Sequence, residues 1–124
     1  MSRAARGREA DARGRRAELL AAAWLLLKGY RLLALRARTP YGEVDIAALH
    51  RGLLVVVEVK ARKDRRSGLE AVGIRQQRRL AHAAVTLSQR WRLAARRIRF
   101  DVMVVRPWAS PLHIRDAWRA ENES

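Results

Sequence analysis

GEVDIAALHRGLLVVVEVKAR, residues 42–62, decides the fold. Its two halves, GEVDIAALH (42–50) and LLVVVEVKAR (53–62), are strand-like runs that meet at Arg51-Gly52, a two-residue connection suited to an antiparallel hairpin. The second half is a near-continuous β-branched run, the composition of a central strand covered on both faces. Side chains alternate along a strand, so Glu43 and Asp45 are expected on one side of the first strand and Val44 and Ile46 on the other. The same rule groups Leu54, Val56, Glu58 and Lys60 opposite Val55, Val57 and Val59. Folding the hairpin about residues 50–53 then brings Asp45 opposite Glu58 and Glu43 opposite Lys60.

Carboxylates set side by side in a half-buried sheet are costly, because desolvation and mutual repulsion both oppose ionisation. A hard divalent cation offsets that cost: Mg²⁺ or Mn²⁺ takes oxygen from one or two carboxylates and keeps waters for a substrate phosphate. Lys60 faces the same way as Glu58 and is placed to orient a water or to stabilise charge developing on a phosphate. It is one of only three lysines among 27 basic residues, and lysine differs from arginine as a compact charge whose pKa moves on burial. The structural alternative is a network in which Lys60 pairs with Glu43 and Glu58 while Asp45 caps a turn.

Outward from the hairpin, the pattern gives one domain in the order α-β-β-β-α-β-β. Residues 1–14 are rich in Arg, Ala and Gly without apolar periodicity and read as a frayed basic arm, followed by a domain over 15–118 and a polar tail over 119–124. Arg15 to Lys28 are strong helix formers ended by Gly29 at a C-cap position, a first helix expected to be largely buried. Residues 31–37 read as a strand, and Thr39-Pro40-Tyr41-Gly42 supplies a turn. A basic loop around 62–68 leads to an amphipathic helix from Ile74 to Trp91, with Leu80, Ala84, Leu87 and Trp91 on one face. IRFDVMVV (98–105) is a further strand, and a short one around Leu112–Arg115 closes the sheet.

The chain has 124 residues, no cysteine and a net charge of +15. Thiol nucleophiles, disulfides and Cys-containing zinc sites are excluded. The longest apolar run, Leu19 to Leu27, has nine residues, against roughly 20 for a bilayer span, and no secretory h-region with a cleavage site is legible. A cytoplasmic protein without membrane contact is expected. Residues 62–99 hold twelve Lys/Arg against Asp64 and Glu70, and such a surface suits a polyanion, DNA being the expected partner. Arg62, Lys63, Arg65, Arg66, Arg75, Arg78 and Arg79 are the candidate phosphate contacts.

The segment D-x12-E-x-K built on Asp45, Glu58 and Lys60 resembles the active-site motif of the PD-(D/E)XK nuclease superfamily. More narrowly, GRRAELLA (14–21), KGYR (28–31), GEVDIA (42–47), VEVKAR (57–62), QRRL (77–80) and RFDV (99–102) resemble the bacterial YraN-type family of endonuclease-like proteins. The resemblance implies an α/β fold with a three-layer α/β/α, restriction-endonuclease-like core and a central mixed sheet. It implies Asp45, Glu58 and Lys60 as the catalytic motif, Glu18 as an added metal-side acid, and Gln77 as the second helix's residue facing the site. Resolvase-like relatives imply a homodimer. The residues agree in part: Glu18 shares a helical face with Ala22 and Leu25, and Gln77 heads the stripe that contains Leu80. The chain departs from the family pattern at Gln76, where lysine is expected, and at Arg36, where asparagine is expected.

His50, His82 and His113 lack metal-ligand spacing, Trp24 and Trp91 fall on apolar helix faces, Trp108 lies between two prolines, and Asp101 beside Arg99 reads as an ion-pair member. The expected function is Mg²⁺- or Mn²⁺-dependent hydrolysis of phosphodiester bonds in DNA, branched substrates included. Asp45, Glu58 and Glu18 hold the metal, Glu43 serves as an accessory acid, and the basic loop and second helix hold the backbone. A nucleic-acid-binding protein that keeps the fold without cleaving is the alternative, and a scaffold docking another macromolecule through its basic face is a third class.

Overall fold

The computed structural model describes residues 2–93 and 97–120. Its elements are α1 (Arg3–Leu27), β1 (Arg31–Thr39), β2 (Gly42–His50), β3 (Leu53–Ala61), α2 (Arg65–Glu70), α3 (Ile74–Arg90), β4 (Ile98–Val105) and β5 (Leu112–Trp118). The strands form one sheet in the order β1-β2-β3-β4-β5. β3 and β4 pair in parallel, and the other neighbours are antiparallel. The parallel pair follows from the α2–α3 crossover, since a parallel partner cannot be reached by a tight turn. α1 covers one face, through Ala17, Ala21, Ala22 and Leu25 on Ile46, Val55, Val57 and Met103. α2 and α3 cover the other, through Leu69, Leu80, Ala83, Ala84 and Leu87 on Leu54, Val56, Phe100 and Val102. The α/β class and the three-layer α/β/α core expected from the sequence are therefore present, with a mixed sheet.

β3 lies at the centre, and Leu54 to Val59 are all buried. Each fully buried aliphatic side chain contributes roughly 1.5–3 kcal/mol, so this strand anchors both core layers. The hairpin turn has the expected form: Arg51 and Gly52 both take positive φ, 49° and 79°, the pattern of a type I′ turn. Gly29 closes α1 at φ 88°, with Tyr30 N–H donating to the Leu25 carbonyl and Gly29 N–H to that of Leu26. This is the Schellman arrangement that satisfies the last carbonyls of a helix.

Four expectations need correction. α1 begins at Arg3 rather than Arg15, so residues 3–14 of the segment read as a frayed arm are helical. Alanine, arginine and glutamate favour helix whether or not apolar residues recur at helical spacing. α1 is also less buried than expected, because only one stripe meets the sheet, leaving Leu19, Leu20, Leu26 and Leu27 exposed. The basic loop contains α2, capped by Asp64, whose carboxylate accepts from Ser67 N–H at 2.8 Å. Finally, Val44 and Ile46 do not share a face: Val44 packs on the α3 side and Ile46 on the α1 side. β1 and β2 depart from regular alternation between these residues, where Arg36 takes φ 52°.

Trp24 packs against the α1-side core and Trp91 against the α3-side core, while Trp108 is fully exposed. No helix among the described residues is long and apolar enough to cross a membrane. Of the tail expected at 119–124, residues 121–124 lie outside the described residues.

Candidate active site

The β2–β3 ladder is regular from His50↔Leu53 to Ile46↔Val57, and one step further brings Asp45 and Glu58 together, as the alternation argument expects. The Asp45 carboxylate accepts a hydrogen bond from Val59 N–H at 2.9 Å, so a side chain takes the place of a ladder partner. Glu58 is 3% exposed on the α3 side of β3. Its Oε2 receives Gln76 Nε2 at 2.7 Å and lies 3.8 Å from Lys60 Nζ. Its Oε1 is buried and has no donor. Burial and the nearby Glu58 carboxylate push the Asp45 carboxyl up to about 7, outweighing the lowering effects of Val59 N–H and Lys60. The two acids are within hydrogen-bonding reach of each other. With both ionised they repel, and one proton or one cation between them removes the repulsion.

Glu18 and Glu43 are not gathered with this pair. Glu18, on the packed side of α1, is held by Arg36 at 2.5 Å, and Arg36 in turn lies close enough to Glu43 and Asp45 for their charges to raise its own pKa, after the larger effect of the Glu18 hydrogen bond. Glu43 is exposed, 3.9 Å from Arg38, rather than opposite Lys60 in an ion pair. Among the described residues no group of three or more acidic or histidine side chains is arranged to hold a metal ion. Sequence reasoning named Arg36 only as a departure from the family pattern and missed its role: on β1, it pairs with the Glu18 carboxylate.

The second-helix residue at the site is Gln76, and Gln77 is directed elsewhere. Gln77 Nε2 donates to the Val72 carbonyl at 3.0 Å, which ties the helix to the segment before it. At 100° per residue, Gln76 lies about 30° from the middle of the arc formed by Leu80, Ala83, Ala84 and Leu87, and Gln77 about 70°. Averaging over the whole buried stripe, instead of counting back from Leu80 alone, would have selected Gln76.

Gln76 is itself held by Arg79, whose Nε donates to Gln76 Oε1 at 3.0 Å. Arg79 Nη1 also donates to the carbonyls of Tyr41 and Glu43, each at 3.0 Å. Gly42 leaves room for this guanidinium: at φ 104°, a Cβ there would lie 2.8 Å from Nη1. Arg79 is thus a tie between α3 and the start of β2, not a free phosphate contact as expected. Arg66 pairs with Glu70, Arg62 donates to the neighbouring carbonyl of Ala61, and Lys63, Arg65, Arg75 and Arg78 are exposed. An open groove of about 1050 Å³ runs beside α3 over β4 and β5, lined by Gln77, Arg78, Phe100 and Trp118 among others, and does not include Asp45, Glu58 or Lys60.

The sequence model described as uncharacterised protein family UPF0102 matches residues 17–105. A UPF0102 protein of a Caulobacter species is 45% identical over 115 residues, covering 92% of this chain and 83% of the relative. One from Maricaulis maris is 47% identical over 112 residues, 90% of this chain and 88% of the relative. One from Parvibaculum lavamentivorans is 48% identical over 107 residues, 86% and 80% of the two chains.

Proposed function

The chain belongs to the uncharacterised protein family UPF0102, and on that premise we propose that its Asp45–Glu58 pair is the metal-binding centre of a nuclease of the PD-(D/E)XK type, acting on DNA. One observation carries the reading. Two carboxyls meet at a largely buried position, one oxygen of Glu58 has no donor, and among the described residues the cation paired with Glu58 is a lysine 23% exposed. Either the proton that Asp45 retains or a bound cation satisfies that oxygen, which left unpartnered costs about 1–3 kcal/mol.

The donor set fits a hard cation. Asp45 and Glu58 would hold Mg²⁺ or Mn²⁺, which needs only one or two carboxylates when waters and phosphate oxygens complete its shell. When bound, the ion supplies Lewis-acid polarisation of a phosphoryl oxygen and a more acidic water. The remaining steps belong to the protein. Val59 N–H fixes the Asp45 carboxylate, and Gln76 fixes that of Glu58. Lys60, held at the cleft by Glu58, is placed to carry charge developing on a phosphate oxygen. Exposed Lys63, Arg65, Arg75 and Arg78 supply the positive surface on which a phosphodiester backbone rests.

The test is cleavage of linear, flap and four-way DNA with Mg²⁺ or Mn²⁺ by the wild type and by Glu58→Gln. Metal-dependent cleavage by the wild type alone is expected. Two observations favour the second reading, a DNA-binding protein that does not cleave: Glu18 is occupied by Arg36, and the helix residue on Glu58 is a neutral glutamine. Binding by both proteins with cleavage by neither selects that reading.

A further inference from the structure

A second polar cluster lies on the α1 side of the sheet, at the turn end of the β2–β3 hairpin. Its centre is Asp101 of β4, fully buried. Asp101 Oδ1 accepts from Arg99 Nε at 2.8 Å and from Asp116 N–H at 3.0 Å. Oδ2 accepts from Arg99 Nη2 and is paired with His113 Nε2, both at 2.7 Å. Four donors fill the acceptor positions of one carboxylate, and the single negative charge is matched by Arg99. Arg99 also donates to the Tyr30 hydroxyl at 2.5 Å, and the Tyr30 ring stacks on His50 at 3.9 Å between centroids.

The rim around this centre carries positive charge that Asp101 does not neutralise. Lys28, which follows α1, places Nζ 2.5 Å from His113 Nδ1. With Nε2 bonded to Asp101, Nδ1 is the acceptor of a neutral imidazole, so the ammonium meets no anion there. Arg115 on β5 and Arg51 in the hairpin turn are exposed, and among the described residues neither makes an ion pair with a carboxylate. The Tyr30 ring meets that of His113 edge-on at 5.6 Å, so Lys28 and His50 border the same ring pair, with Arg51 next in the chain to His50 and Arg115 two residues after His113. Burial and then Arg115 lower the Lys28 pKa, with Asp101 opposing, and burial, Arg51, Arg99, Arg115 and Lys28 lower that of His50. Tyr30 and the His113 side chain are buried, and both are bonded into the Asp101–Arg99 network.

We propose that Lys28, His50, Arg51 and Arg115 form a binding site for a phosphate-type oxyanion, separate from the Asp45–Glu58 cleft. The recognised chemistry is a doubly or singly charged phosphate group that accepts from an ammonium and from guanidinium forks while resting against the edge of the His50–Tyr30 stack. Two sources present that group: free phosphate or a phosphomonoester, and the backbone of a nucleic acid already on the basic surface.

Full-length protein in EDTA tests the site without any contribution from the metal cleft. The variant is Arg51→Asn with Arg115→Gln: asparagine tolerates the positive φ of position 51, and position 115 is exposed. At constant ionic strength, inorganic phosphate in place of chloride should raise the wild-type Tm saturably, on the order of 5 °C at tenfold excess over Kd, and leave the variant unmoved. The second arm is the salt dependence of binding to a 20-base-pair duplex. If the backbone supplies the phosphate, the slope of log K against log salt falls by about 2 in the double variant and by about 1 in each single variant. A slope that falls assigns the site to nucleic acid. An unchanged slope with a lost phosphate response assigns it to a free phosphate group. No phosphate-specific rise in the wild type, or an equal rise in the variant, together with an unchanged slope, overturns the proposal.

Discussion

Glu58 interrupts a run of valine and leucine, and its burial with one unpartnered oxygen is a cost that only a ligand or a shared proton removes. Replacing it by glutamine keeps the shape and the Gln76 contact while removing the charge. Glu58→Gln is therefore expected to leave stability unchanged or raise it by about 1 kcal/mol, a gain in stability at a site built for function. Urea unfolding in EDTA measures this, and a loss above roughly 3 kcal/mol would instead mark a structural ion pair with Lys60. Asp101 behaves in the opposite way. Burial pushes its carboxyl up, but hydrogen bonds from His113, Arg99 and Asp116 N–H outweigh this and hold it below the usual carboxylate range. Its contribution to stability is then present above the unfolded value of 3.8 and lost as pH falls through the lower folded value. Asp101→Asn should cost about 3–5 kcal/mol at pH 7 by leaving Arg99 buried without its partner, and the difference from wild type should shrink in denaturant titrations as pH falls through the folded value, which lies below 3.8. Both residues were legible in the sequence, Glu58 as a charge in an apolar strand and Asp101 as a neighbour of Arg99. The contact from His113 was not, because nothing local links positions 101 and 113 until β5 pairs with β4.

Between the pairs Leu35↔Ile46 and Ala37↔Val44, strand alternation breaks and Val44 and Ile46 turn to opposite faces. Arg36 takes a left-handed conformation there, one that asparagine adopts more readily than arginine. Its guanidinium then spans to Glu18 on α1. Arg36→Asn is expected to keep the backbone, free the Glu18 carboxylate and tighten Mn²⁺ binding at the Asp45–Glu58 cleft several-fold. Isothermal titration of Mn²⁺ checks it; unchanged or weaker affinity would show that Glu18 stands outside the metal shell. Strand alternation in β3 read correctly from the sequence because that strand is regular. It failed at Val44 and Ile46, because a two-residue period cannot register a left-handed residue on the neighbouring strand. Both helix boundaries that were missed share one cause: the start of α1 and the whole of α2 are polar, so helix propensity and the Asp64 cap carried the signal that apolar periodicity lacked.

Across the whole molecule, the net charge of +15 is the feature most exposed to experiment. Residues 2–14 lie N-terminal to the α1 stripe that packs on the sheet, Ala17 to Leu25, and carry several of the arginines. Deleting them should change unfolding free energy by less than about 1 kcal/mol, since the α1 core contacts from Ala17 onward are kept, yet weaken DNA binding and lower its salt slope. Equal slopes with and without the segment would sink the idea that it touches phosphate. The order of elements was legible because each strand and the amphipathic helix has its own period; the assembly of the site was less so, because its parts come from distant stretches of chain. Asp45, Glu58 and Lys60 sit on a hairpin joined by a two-residue turn, whereas Gln76 and Arg79 arrive on a crossover that must also deliver β4, pairing Leu54 with Ile98. Hairpins form in about 1–10 μs, and long-range parallel pairing is far slower. The two acids therefore meet before the helix that shields them arrives, and their repulsion belongs to the barrier of folding as well as to the finished protein. Refolding in EDTA should accelerate in Glu58→Gln, with the unfolding rate changed less.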